Sequence, residues 1–193
     1  GVLMAIKTFT TGEVLTASDT NTYLANSGLV YVTNGALSST ATNFAGCFTS
    51  TYTNYRIVID SLAFNATGYL YFQFLTGTTP ETGANYYWAL PGLKATGVAY
   101  TSAQQTQTVG YFGTGNSGAN NLIIGSCQYD IYGPQLAQRT LLTGQGAGVD
   151  SEYFSHVGMN SHNLATAYTG IRILTNSATT VTGNVTIYGY RKA

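Results

Sequence analysis

Four stretches of this chain carry side chains whose type and spacing could do chemistry. Asp150-Ser-Glu152 sets two carboxylates on one side of an extended segment, with His156 four residues further on. Two carboxyls about 5 to 9 Å apart are what glycoside hydrolysis requires. The same residues follow a glycine-rich run, and with no second acidic cluster to support them they read as a solvated loop. His156 and His162 lack a nearby third ligand, whereas zinc sites need three or four, so no metal is expected. Gly113-Thr-Gly-Asn-Ser-Gly118 spells G-x-G-x-x-G. A phosphate cradle needs a strand before it and a helix N-terminus after it, and here Ala119-Asn-Asn-Leu-Ile-Ile124 leads into another strand. That run reads as a hairpin loop, and no cofactor is expected. Neither Cys47 nor Cys127 has a neighbouring base and there is no G-x-S-x-G elbow, so nucleophilic catalysis has no anchor. Asp60, Asp130, Asp150 and Glu152 remain as scattered acids that nothing selects, and the chain reads as a non-enzyme.

Asn85-Tyr-Tyr-Trp88 suits binding better than bond breaking. On a strand, successive side chains alternate, so Tyr86 and Trp88 share one face and Tyr87 takes the other. Flat aromatic faces beside amides match sugar rings, which have C–H faces and hydroxyl edges. Tyr86 and Trp88 are therefore the candidate glycan contacts, and Tyr100, Tyr111, Tyr153 and Tyr168 could extend the surface. The competing reading is that the lone Trp and these tyrosines fill the core or pack between protomers, where such residues are enriched.

The elements that must hold these residues are strands. Runs of β-branched and alternating residues recur at Leu29 to Thr33, Tyr55 to Phe64, Tyr69 to Leu75, Asn85 to Leu90, Thr106 to Phe112, Asn121 to Tyr132, Arg139 to Thr143, Gly170 to Thr175 and Thr180 to Tyr190. Turn chemistry separates them at Asn34-Gly35, Thr67-Gly68, Gly77 to Pro80, Gly113 to Gly118, Gly133-Pro134 and Gly144 to Gly148. Eight or nine strands with no helices between them indicate an antiparallel sandwich or barrel. Parity predicts Tyr55, Ile57 and Ile59 on a core face, then Leu70, Phe72 and Phe74, and in the last strand Val181, Val185 and Ile187 around a bulge at Gly183.

Composition narrows the function classes. Of 193 residues only 7% are charged, with 7 Lys and Arg against 7 Asp and Glu, while 16 Tyr and 8 Phe rule out a disordered chain. The charged share is about a quarter of the usual one. With no net field, nucleic acid is not an expected partner. No stretch approaches the roughly 20 apolar residues that cross a bilayer, and Gly1 to Ile6 is too short for a signal peptide. Synthesis in the cytoplasm and no membrane insertion are the expectation. Cys47 and Cys127 read as buried small hydrophobes, with a cross-sheet disulfide as the alternative.

Ahead of the strands stands Phe9-Thr-Thr-Gly-Glu-Val-Leu-Thr-Ala-Ser-Asp-Thr-Asn-Thr-Tyr-Leu-Ala-Asn26. Thr16 suits an N-cap, Asp19 brings charge to the first turn, and Gly28 stops the helix. A helix of roughly a dozen residues is marginal by itself, so Val14, Leu15, Tyr23 and Leu24 call for a partner. This phrase resembles the N-terminus of virion proteins of tailed bacteriophages, of the tail-fibre and appendage kind. The likeness covers about the first thirty residues and recurs loosely in Tyr52 to Ile59 and Val185 to Arg191. The resemblance implies an attachment and oligomerisation segment at residues 1–28 and a β-sandwich, jelly-roll-like, at 29–193, often as a homotrimer. It implies a virion location, made in the host cytoplasm, and partners among other tail or capsid proteins, with contact to host cell-surface polysaccharide. A capsid decoration protein and a polysaccharide-degrading appendage are the alternatives.

Overall fold

The computed structural model describes residues 10–14, 16, 28–66, 68–116, 125–149, 152–176 and 179–191. Thirteen strands fill this part of the chain: β1 (Leu29–Leu37), β2 (Ala41–Phe44), β3 (Asn54–Phe64), β4 (Gly68–Thr76), β5 (Thr79–Pro80), β6 (Tyr86–Lys94), β7 (Ala99–Gln107), β8 (Gly110–Asn116), β9 (Gly125–Tyr132), β10 (Thr140–Val149), β11 (Tyr153–His162), β12 (Gly170–Thr175) and β13 (Val181–Tyr190). The larger sheet runs β1-β13-β3-β9-β10-β11-β6-β7. The smaller runs β2-β12-β4, with β5 and β8 sharing the far edge of β4. Every pairing among the described residues is antiparallel. The described residues thus form an all-β, antiparallel sandwich. The expected N-terminal helix, with Leu15, Tyr23 and Leu24, lies outside the described residues. Val14 is described and 79% exposed, just after a turn in which the Glu13 amide donates to Thr10 O (3.0 Å) and the Thr10 amide to the Glu13 carboxylate (3.1 Å).

One core lies between the sheets, and strand parity explains its membership. Tyr55, Ile57 and Ile59 of β3, Leu70, Phe72 and Phe74 of β4, and Val181, Val185 and Ile187 of β13 are all buried, as alternation predicts. In β3 the parity then flips, so that Leu62 and Phe64 also face inward. The register slips between Ile59 and Leu62, and Ser61 absorbs it at φ 54°. Gly183 (φ 152°) marks the matching slip on β13. Four tyrosines, Tyr55, Tyr86, Tyr129 and Tyr168, are wholly buried. Three of them tie down backbone: the Tyr55 hydroxyl donates to Thr49 O (2.8 Å), that of Tyr86 to Glu81 O (3.1 Å) and that of Tyr129 to Phe112 O (3.1 Å). The fourth meets His162 Nδ1 at 3.2 Å. A buried tyrosine needs such a partner for its polar end.

Several sequence expectations are corrected here. Asn34-Gly35 is not a turn but lies within β1, opposite Thr186 and Val185 of β13, and Gly113 to Asn116 of the expected hairpin loop belong to β8. Gly144 to Gly148 is not a turn but the second half of β10. Its inner-face glycines each lie beneath a ring from a neighbouring strand. A Cβ at Gly144 would sit 2.5 Å from the Tyr129 ring, at Gly146 2.4 Å from the His156 ring, and at Gly148 2.7 Å from the Phe154 ring. All three pairs are in direct cross-strand register, so the absent side chains make room for aromatic ones. Thr106 to Phe112 is likewise not one strand, since β7 ends at Gln107 and β8 begins at Gly110 in the other sheet. Cys47 and Cys127 are buried free thiols, and burial pushes the Cys47 thiol up to about 12, which keeps it protonated and inert.

Candidate functional site

The larger sheet is wider than the smaller one, and this mismatch makes the site. The free edge of β8 ends the smaller sheet against the inner face of the larger, where Asn160 of β11 receives it. The Asn160 amide donates to Tyr111 O and its oxygen accepts from Tyr111 N, both at 3.0 Å. One side-chain amide thereby takes the place of the next strand. Beyond this seam the inner face of β7 and the Lys94 end of β6 are uncovered and meet the outer face of β4 and β8 at a corner, with Trp88, 8% exposed, at its base. The corner is a groove of about 650 Å³, within the range of small-ligand sites.

One wall is aromatic. Tyr69 and Tyr71 point outward from β4 by the parity that buries Leu70 and Phe72, and Tyr111 pairs with Tyr71 across the sheet. Their centroids lie 5.4 to 6.4 Å apart, with Tyr69 edge-on to Tyr111 at 87°. The floor is Trp88, 5.8 Å from Tyr111, with its indole N–H donating to Ser102 Oγ at 3.3 Å. Along β7, Tyr100, Ser102, Gln104 and Gln107 complete the lining. Gln104 and Gln107 differ in parity, yet both reach the groove, because a one-residue bulge lets Tyr86 pair with Gln107 while Trp88 pairs with Gln104. Thr106 pays for that bulge at φ 53°, a rare conformation for a β-branched residue; such strain concentrates at functional sites. At the far end Lys94 Nζ lies 3.5 Å from Glu152 Oε2, which also accepts from Thr96 Oγ1 at 3.3 Å. Burial raises the hydroxyls of Tyr71, Tyr100 and Tyr111 above the ordinary tyrosine range, so all three are neutral O–H groups.

The structure sorts the candidates from sequence. Trp88, Tyr100 and Tyr111 converge in the groove. Tyr86 does not: it is wholly buried, its hydroxyl accepting from Phe74 N at 2.9 Å, so it braces the two sheets and is withdrawn as a glycan contact. Tyr168 is core, and Tyr153 is 69% exposed but not part of this groove. Tyr69, Tyr71, Gln104 and Gln107 were missed, although two tyrosines on the solvent parity of a core strand were a usable signal. Glu152 enters the groove as an ion-pair partner, and Asp150 lies outside the described residues. Asp130 is structural. Burial alone would raise its carboxyl, but bonds from Arg56 (2.7 and 2.8 Å) and Tyr190 (2.5 Å) outweigh this and hold it below the usual range. His156 and His162 face the core, both held neutral by burial. No cluster of three or more His, Cys, Asp or Glu side chains suited to a metal occurs among the described residues. No helix there is long and apolar enough to cross a membrane.

No family model matches the chain, and no curated protein matches it in sequence. Among solved structures, two of a fructofuranosidase from Schwanniomyces occidentalis, complexed with fructosylnystose or with fructose, align at 8% and 9% identity with TM-scores of 0.26 and 0.23. Each alignment covers 85% of this chain and 34% of the other. A structure of infectious bursal disease virus, Gx strain, aligns at 14% identity over 83% of this chain and 38% of the other, with a TM-score of 0.13. The chain spans about a third of the length of the structures it matches. Scores at this level do not establish a shared fold.

Proposed function

We propose that this chain is a structural protein of a tailed-bacteriophage virion, a tail-fibre or other tail-appendage subunit that presents its groove to host surface glycans. The observation that carries the reading is the groove itself: tilted and edge-on aromatic rings, amides and hydroxyls on a body with almost no charge. Aromatic faces contribute by covering the C–H faces of sugars, and the amides and hydroxyls meet the hydroxyl edges. The phage-like phrase at residues 9–26 supplies the other half. In this reading residues 1–28 attach and oligomerise the protein through Val14, Leu15, Tyr23 and Leu24, as a homotrimer, and residues 29–193 form a jelly-roll-like sandwich whose terminal strands β1 and β13 lie side by side. The protein binds glycan without cleaving it, since Glu152, the carboxylate described in the groove lining, is engaged by Lys94 and Thr96.

Capsid decoration is the second reading. It is favoured by the outer face of the larger sheet, where Leu93, Leu141, Val157 and Met159 are each about half exposed, a surface suited to packing on a shell. Antibody labelling of intact particles separates the two. Tail labelling is expected, head labelling moves the protein to the capsid, and unlabelled particles overturn both. Deleting residues 4–28 is expected to leave a folded β domain that no longer enters particles; unfolding of the body would show that segment to be part of the core.

A further inference from the structure

We propose that the groove selects uncharged glycan chains, and that Glu152 enforces this by neutralising Lys94. The inference rests on the reading of the groove as a saccharide site and names what that site takes. Lys94 and Glu152 are the cation and the anion of its lining. They lie 3.5 Å apart with 41% and 36% of their side chains exposed, so each is reachable by a ligand at the end where Tyr100 and Phe154 stand. A uronic or sialic acid approaching Lys94 meets the Glu152 carboxylate on the same cation, and like charges in close contact oppose binding. Thr96 holds Glu152 from its other side, which keeps the carboxylate at its post. The rest of the lining, from Ser102 and Gln104 to Gln107, Tyr69 and Tyr71, recognises through neutral groups. On a strand rising about 3.3 Å per residue, Tyr100 to Gln107 spans roughly 20 Å, a length that suits a run of linked sugars better than a single one.

The chain's single tryptophan is Trp88, and it lies in this groove, so its emission reports occupancy of this site. The full-length protein is screened on an array of neutral and of uronic- or sialic-acid-bearing oligosaccharides, and hits are titrated in solution by Trp88 emission. Wild type is expected to bind neutral chains with an affinity unchanged between about 50 and 500 mM salt. Glu152→Gln is expected to gain about tenfold or more in affinity for anionic glycans, a gain that disappears at high salt and in the Lys94→Met, Glu152→Gln double variant. Two results overturn the charge rule while leaving the saccharide site standing: wild type binding anionic chains as well as neutral ones, or Glu152→Gln matching wild type toward the anionic set. Silence of both proteins toward every glycan overturns the groove reading itself.

Discussion

Replacing Asn160 with alanine tests whether one side-chain amide anchors the edge of β8 on the larger sheet and shapes the groove. Asn160 is 1% exposed and makes two bonds to the Tyr111 backbone, each 3.0 Å. Its loss strands a backbone N–H and a C=O at a strand edge that has no other strand beside it among the described residues. An ordinary bond is worth about 1 kcal/mol net, and a group left unpaired away from water costs about 1–3 kcal/mol. Two such groups put the destabilisation at about 2–6 kcal/mol, a fall in Tm of roughly 4–24 °C for a chain of this size. Urea unfolding followed by Trp88 emission and by circular dichroism measures the first, and a thermal scan the second. Since Tyr111 carries the ring that contacts Trp88, the same variant is expected to lose glycan affinity as well. A stability loss below about 1 kcal/mol together with unchanged glycan binding would refute the seam as the organising contact of the site.

Three further outcomes are expected. Burial lowers His162 from 6.5 to about 4 and lowers His156 as well. The unfolded chain therefore binds protons that the folded chain refuses, and this stability is complete above pH 6.5, is lost as pH falls through about 4, and amounts to about 3 kcal/mol for His162. Urea midpoints at a series of pH values measure it, and His162→Phe should flatten the slope. Gly146→Ala forces a methyl to within 2.4 Å of the His156 ring and 2.9 Å of Cys127 Cβ, and should cost about 1–3 kcal/mol in the same unfolding assay. The neighbouring outward-facing Gln145→Ala should stay within about 0.5 kcal/mol. Tyr69→Ala removes a ring that is 38% exposed, and should weaken neutral glycan binding by about 0.5–1.5 kcal/mol while leaving the unfolding midpoint nearly unchanged; a large stability loss would make Tyr69 a structural residue instead.

The sandwich was legible where hydrophobic parity was strong. In β3, β4 and β13 the inward residues are Ile, Val, Leu, Phe and Tyr, and alternation identifies them directly. Legibility failed where the inner face is polar or has no side chain. β11 places His156, Asn160 and His162 inward, and β10 places Gly144, Gly146 and Gly148 there, so neither shows an apolar stripe. The glycines mimic a turn because their reason for being glycine, a ring from the adjacent strand, sits elsewhere in the sequence. β7 reads as polar because it is the uncovered edge strand. The groove was half legible. Trp88, Tyr100 and Tyr111 follow from residue type, but their meeting with Tyr69 and Tyr71 depends on one sheet being wider than the other and on the Asn160 seam, neither of which is a local pattern. Tyr86 was misassigned because it shares the face of Trp88; the face is common, but Tyr86 is wholly covered, whereas Trp88, 8% exposed, forms the floor of the groove.

Host adsorption in the presence of the purified protein tests the central claim most directly. Particles are mixed with host cells and graded amounts of soluble wild type or Tyr69→Ala, and the rate of loss of free particles is measured. Wild type is expected to slow adsorption by occupying the surface glycan, and the groove variant to need roughly 2- to 13-fold more protein for the same slowing. Equal slowing by both proteins, or slowing by neither, would contradict a host contact made through this groove.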